Sequence, residues 1–308
     1  MKFELYHYIH PFVQKTDDKK LIAIPLAFLA VALIIIAVMT VMTGSPVSLG
    51  MDFVGGTQFT VTTSLTEEQL EDMFSDYPLN SVRISGTRVI LQFSQLDSDD
   101  LASLEAMIFG NSNFKDIDEK VVAPIYSQQL QRTALFALVL SFIGMSIVVF
   151  IMFRRVVPSL AVILSAASDI IIPVAFMGIF GIELTLGTVA ALMMLIGYSV
   201  DSDILLTNKV LKRSGNLDDK ISGAMRTGLL MTTTTIAAFA SMFIVSTFLH
   251  YIIPGVPPIP LLSQISLIVL IGLIADVFNT WFLNAGILRM YLNSSKTKTK
   301  TKKGGRRA

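Results

Sequence analysis

Six stretches of this chain are each long and apolar enough to cross a lipid bilayer, and that constrains almost everything else it can be. A hydrocarbon core about 30 Å thick takes roughly 20 residues of helix. Residues 21–42, 133–153 and 228–249 contain no charged side chain. Residues 156–181, 184–206 and 259–288 contain only acids: Asp169 in the first, Asp201 and Asp203 in the second, Asp276 in the third. The first run is longer than the roughly 7 to 15 residues of a secretory signal core, and no small-x-small cleavage site follows it, so it reads as a retained anchor. With 53% apolar and 15% charged residues, disorder, collagen and a nucleic-acid-binding module are excluded.

The basic residues then orient the spans. If the N-terminus is cytoplasmic, the segments left inside (1–20, 154–155, 209–226 and 289–308) hold 19 of the 24 lysines and arginines. The short connections around Glu183 and over 251–258 hold none. That one-sided pattern predicts a multi-pass protein of the cell membrane with both termini cytoplasmic. The expected organisation is a cytoplasmic N-terminus at 1–20, a first span at 21–42, an extracytoplasmic domain at 43–129, spans two to six within 130–290, and a basic tail at 291–308, which reads as lying against anionic lipid.

The large segment between the first and second spans carries 13 acids against four bases, Arg83, Arg88, Lys115 and Lys120. Its hydrophobic pattern predicts strands at 58–63, 81–85, 88–93 and 114–122 and helices at 66–77 and 99–109. Thr66 with Gln69 three residues on is a capping-box start. Gly86 is the expected hairpin turn. The order βαββαβ predicts a ferredoxin-like α+β domain, inserted into an α-helical polytopic membrane protein.

Acids inside spans are the first functional candidates, since each costs about 2.5 to 3.5 kcal/mol to insert and no base lies deep enough to pair with one. At about 1.5 Å per residue, Asp201 and Asp276 both lie about 25 Å from the outer ends of their helices and could face each other as an ion relay or gate. Asp169 lies near the middle of its span, where a structural role leads. Asp203 points about 200° away from Asp201 and suits a solvated or capping position. Ser199, Ser202, Thr207, Asn279 and Asn284 are available as neutral partners. Glu183 reads as solvated. Thr232 to Thr235 can bond back to their own helix or present a polar face. Gly144, Gly178, Gly187, Gly197 and Gly272 permit close helix approach. The prolines Pro254, Pro257, Pro258 and Pro260 predict a stiff loop before the last span.

Catalytic chemistry lacks its parts. There is no cysteine and only three histidines, His7, His10 and His250. Neither GxxxxGK[ST] nor HExxH occurs, so no metal, no cofactor and no enzymatic activity are expected.

Two segments carry a resemblance. Gly50-Met51-Asp52-Phe53-Val54-Gly55-Gly56-Thr57 and Ile196-Gly197-Tyr198-Ser199-Val200-Asp201, continuing to Arg213, resemble the motif after the first span and the fourth-span signature of the SecD/SecF family, accessory subunits of the Sec protein translocase similar to the RND superfamily. The fifth-span entry from Arg226 through Gly228 to Thr235 also fits. Bacterial members of the shorter branch read asparagine-aspartate-threonine where this chain has Asp201-Ser202-Asp203, which suggests an archaeal type. The resemblance implies a SecD-like partner, the Sec translocon channel, unfolded secreted polypeptides as clients, and an ion gradient as driving force. Asp52, Gly55, Gly56 and Thr57 are the motif residues; the first three can simply shape the turn into the first strand. Two other functions fit the same sequence: a free-standing RND-like transporter of small molecules or lipids, and a purely structural scaffold for the translocon.

Overall fold

The computed structural model describes residues 6–85, 88–212, 215–253 and 259–304. The turn at Gly86 and the prolines Pro254, Pro257 and Pro258 lie outside the described residues.

A short helix, α1 (Tyr6–Lys15), precedes the first span, α2 (Asp18–Thr43), which stops at Gly44 in the left-handed conformation. A single turn, α3 (Met51–Val54), leads into an α+β unit: β1 (Gly56–Thr62), α4 (Glu67–Met73), β2 (Leu79–Ser85), β3 (Arg88–Phe93), α5 (Ser98–Gly110) and β4 (Lys115–Val122). Four long helices follow: α6 (Pro124–Phe153), α7 (Val156–Phe180), α8 (Leu186–Lys212) and α9 (Leu217–Ile252). The last span is one continuous rod that changes winding on the way: α10 (Pro260–Phe278), a π-helical segment (Asn279–Asn284), and α11 (Ala285–Gly304). Among the described residues, six helices are therefore long and apolar enough to span a membrane.

The sheet runs β2-β3-β1-β4 with every neighbouring pair antiparallel. Each helix crosses between strands that flank a third, the strand order of the split βαβ motif. Alternation along β1 and β3 puts Phe59, Val61, Val89, Leu91 and Phe93 on one face, where they pack against Leu70 and Phe74 of the first helical crossover and Leu104 and Ile108 of the second. At the start of α4 the Thr66 backbone N–H donates to Gln69 Oε1 at 3.0 Å, one half of the expected capping box. The opposite face of the sheet is polar. Gln58, Arg83, Gln92 and Lys120 lie on it, directed at the membrane bundle.

Within the bundle, α10 packs against α7, α8 and α9, while α2 packs on α7 and the π-helical segment, and α6 stays peripheral. Close approach is set by small residues. A Cβ on Gly272 would meet Leu195 at 2.4 Å, one on Gly187 would meet Leu261 at 2.5 Å, and one on Gly178 the Pro46 carbonyl at 3.3 Å. Gly144 and Gly197, expected to do the same, have nothing within 4 Å of that position, because both sit on outward faces of this chain. In the run Thr232 to Thr235 of the fifth span, three hydroxyls bond back to their own helix, Thr233 to the Leu229 carbonyl and Thr234 and Thr235 to that of Met231. Thr235 also accepts from the Tyr198 hydroxyl at 3.1 Å, which ties the fifth span to the fourth.

Candidate functional site

The segment leaving the first span is bound to the loop between the third and fourth. The Gly50 N–H donates to the Leu184 carbonyl and the Leu184 N–H to that of Ser48, both at 2.8 Å. Asp52 joins three elements: one carboxylate oxygen accepts from Lys120 Nζ of β4 at 2.7 Å, and the other from the Leu186 N–H at the start of α8 at 3.1 Å. Thr185 and Thr188 complete that helix start, each hydroxyl accepting from the other's backbone N–H. Gly55 and Gly56 take positive φ, 80° and 113°, and a Cβ on Gly56 would lie 2.2 Å from the Phe93 carbonyl oxygen. The glycine pair thus lets β1 turn directly into register beside β3. Thr57, next in the motif, is buried.

Glu183 is not solvated, as its place between two spans suggests from sequence. It is 7% exposed, paired with Arg83 at 2.7 Å and within 3.4 Å of the Gln92 amide. The sheet comes down onto this loop and removes the water. Burial pushes the Glu183 carboxyl above its usual range, and the Arg83 guanidinium and Gln92 amide oppose that shift.

Deeper in the bundle than this junction, three carboxyl groups from three spans meet. Asp169 of α7, Asp203 of α8 and Asp276 of α10 are all buried, and Asp276 is close enough to feel the charge of both others. Their partners are neutral. Asp169 accepts from the Ser199 hydroxyl and from Asn279 Nδ2 at 2.6 Å. Asp276 accepts from Thr280 at 3.0 Å, and Asp203 from Asn284 Nδ2 at 2.8 Å. All three donors Asn279, Thr280 and Asn284 come from the π-helical segment, whose wider winding aims them at acids on three different helices. Asp203 Oδ2, Asp276 Oδ2, Asn279 Oδ1 and Asn284 Oδ1 are buried without a hydrogen-bond partner among the described residues.

Helix facing corrects two expectations. Asp201 does not meet Asp276: it is exposed, on a stripe with Ala190, Met194 and Gly197. Asp203, expected near solvent, is the fourth-span acid that turns inward, with Ser199 one turn before it. The two acids are about 200° apart around the helix, so only one of them can face the core. Asp169 joins the cluster through the Ser199 hydroxyl and the Asn279 amide. Sequence reasoning named Asn279 and Asn284 as available partners but missed Thr280, because a change from α to π winding leaves no residue signature in NTWFLN.

A six-span helical membrane protein with an α+β domain between its first two spans, and buried acids on the third, fourth and sixth, is the class this architecture defines. Residues 103–294 match the family model "Protein export membrane protein SecD/SecF, C-terminal", and residues 40–64 match "SecD/SecF GG Motif". The protein-export membrane protein SecF of Methanolacinia petrolearia is 43% identical over 294 residues, covering 96% of this chain and 98% of that one. The SecF of Haloferax volcanii is 45% identical over 277 residues, covering 89% and 92%. In fold, the chain resembles the crystal structure of SecDF from Thermus thermophilus, a translocon-associated membrane protein, with a TM-score of 0.71 at 17% identity. That match covers 90% of this chain and 38% of the SecDF chain. The chain belongs to the SecD/SecF family of protein-export membrane proteins, on its SecF branch.

Proposed function

We propose that this subunit works with a SecD-like partner at the Sec translocon channel to promote translocation or release of unfolded secreted polypeptides, and that an ion gradient drives it through Asp169, Asp203 and Asp276. Both termini are cytoplasmic in this reading, and the α+β domain is on the outside. The observation that carries it is the convergence of three buried carboxyl groups on one π-helical segment, with four oxygens left unpartnered. Such a cluster needs positive charge to be there at all, as protons or a small cation. Loading and unloading that charge changes what the π-helical donors must satisfy, and so biases the packing of the fourth and sixth spans between two arrangements.

The exposed stripe of the fourth span supports the partner. Asp201 is an exposed carboxyl on an outward face of a membrane helix. It does not suit lipid, and helices of a SecD-like subunit would cover it.

The test is export into membrane vesicles carrying Asp169→Asn, Asp203→Asn or Asp276→Asn, with proton and sodium gradients collapsed separately. Loss of gradient-dependent export in the variants is expected, and the collapse that reproduces it names the ion. Full gradient-dependent export in all three would sink the proposal. One observation favours a scaffold reading: both oxygens of Asp169 are satisfied by donors from two other helices, as a register pin would be. In that case the variants lose complex stability while the export that remains still responds to the gradient.

A further inference from the structure

Between the polar face of the sheet and the domain-side end of the bundle lies a cleft of about 490 Å³, inside the range of small-ligand pockets. Its roof is formed by Gln58, Ile90 and Gln92 of the central strands, and its floor by the starts of the fourth and sixth spans and the end of the fifth, with Gln264 and Leu261 among them. The two ion pairs of the junction, Arg83 with Glu183 and Lys120 with Asp52, stand at its walls.

The charges in this cleft are committed and the amide N–H groups are not. Both ion pairs close at 2.7 Å and cancel, so the cleft offers no unbalanced charge to a phosphate or an acidic headgroup. The Gln92 amide oxygen is held by the Ser81 hydroxyl at 2.9 Å, but the amide N–H groups are poorly served. Gln58 Nε2 reaches Thr60 Oγ1 only at 3.5 Å, Gln92 Nε2 reaches Gln58 Oε1 at 3.5 Å, and Gln92 reaches Glu183 at 3.4 Å. Good N–H···O bonds lie at about 2.7–3.2 Å, so these contacts yield to a better-placed partner at little cost. Each amide is both a donor and an acceptor, as a peptide group is. A component that handles many different secreted chains can recognise only what they share, which is the backbone together with some apolar side chain. Ile90, Ile84 and Leu261 supply apolar wall beside the amides.

We infer that this cleft holds an extended segment of the secreted polypeptide, its backbone amides bonded to Gln58 and Gln92 and its side chains against Ile84, Ile90 and Leu261. This rests on the reading of the chain as an export subunit and adds the surface where the client is held. Its position, on the two ion pairs that join the sheet to α8, puts a held segment where a shift of the fourth span is felt.

The test uses the full chain in its native membranes with a photo-crosslinking phenylalanine analogue at Ile90, a second probe at Gln264, and a control at Phe109, which is exposed on α5. A secretory polypeptide is stalled during export and the membranes are irradiated. Adducts to the stalled chain from Ile90 and Gln264, but not from Phe109, are expected. Replacing both amides, Gln58→Leu with Gln92→Leu, should cut the Ile90 adduct about tenfold, two modest hydrogen bonds' worth. Retention of the SecD-like partner on purification checks that this variant is folded. Adducts from Ile90 only to lipid or to another membrane subunit overturn the inference, as does no adduct while the stalled chain is in place. If deleting the chain leaves export unchanged, the export reading itself has failed; if deletion stops export and the probes are silent, only the cleft assignment has.

Discussion

The Asp52 carboxylate accepts a hydrogen bond from the Leu186 backbone N–H at 3.1 Å, so a residue in the turn after the first span caps the fourth span from 134 positions away. The same side chain holds Lys120 of the last strand at 2.7 Å. One carboxylate therefore fixes the sheet to the helix that carries Asp203 some 17 residues, or about 26 Å, further on. Asp52→Ala removes a cap worth about 0.5–2 kcal/mol and an ion pair worth at most about 1 kcal/mol, since Lys120 is half exposed. Asp52→Asn keeps an acceptor and should lose less, and Lys120→Met less again. Hydrogen exchange at Leu186 to Thr188 should be fastest in Asp52→Ala and slow in that order, and equal exchange in all three variants would show that the cap is not what orders this helix start.

The glycines give a sharper contrast. Gly56→Ala places a Cβ 2.2 Å from a backbone carbonyl that the β1–β3 pairing holds in place, at a φ of +113°. A destabilisation of the α+β domain of about 3 kcal/mol is expected, seen as a lowered denaturation midpoint and faster proteolysis. Gly144→Ala, with open space on all sides, should stay within about 0.5 kcal/mol of the parent chain.

How far sequence carries for this fold can be judged from particular residues. The six spans are legible because a bilayer demands length and apolarity, and both are countable. The strands are legible because β1 and β3 alternate, and Arg88–Phe93 falls where the pattern puts it. Depth along a helix is legible only in part: it puts Asp276 level with the Asp201–Asp203 turn of the fourth span, yet it sets apart Asp169, which joins them. Facing is not. Asp201 and Asp203 lie on opposite sides of a helix with apolar residues all round, and only packing against α7 and α10 decides which turns inward. Glu183 was misjudged for a related reason: the sheet that buries it comes from more than 90 residues earlier in the chain. The π-helical segment depends on tertiary packing and left no pattern to read.

Glu183 makes the junction sensitive to pH, and the sign follows from its environment. Burial raises its carboxyl in the folded state above the ordinary 4.5, with Arg83 and Gln92 opposing in part. The folded state then binds more protons than the unfolded one between that value and the raised one, so stability falls as pH rises through this window. The parent domain should be more resistant to denaturation at the acid end of the window than above it. Glu183→Gln should flatten that slope, and a slope unchanged by the substitution would assign it to other acids such as Glu119, which burial and the neighbouring Glu105 also raise.

The last prediction separates a working cluster from a structural one. Asn284 Nδ2 is the donor to Asp203 at 2.8 Å, and Asp203 Oδ2 has no partner among the described residues. Asn284→Leu leaves that buried carboxyl without its amide, and a loss of about 1–3 kcal/mol is expected. Removing the carboxyl as well, Asp203→Leu with Asn284→Leu, should recover part of that loss, because two apolar groups are better buried than one orphaned acceptor. Stability therefore improves from the single to the double variant. Export should do the opposite if the cluster carries the ion: the single variant keeps a carboxyl that can still be loaded, and the double variant has none. Gradient-dependent export that instead tracks stability, recovering in the double variant, assigns Asp203 to holding helices in register and leaves ion coupling to be carried elsewhere.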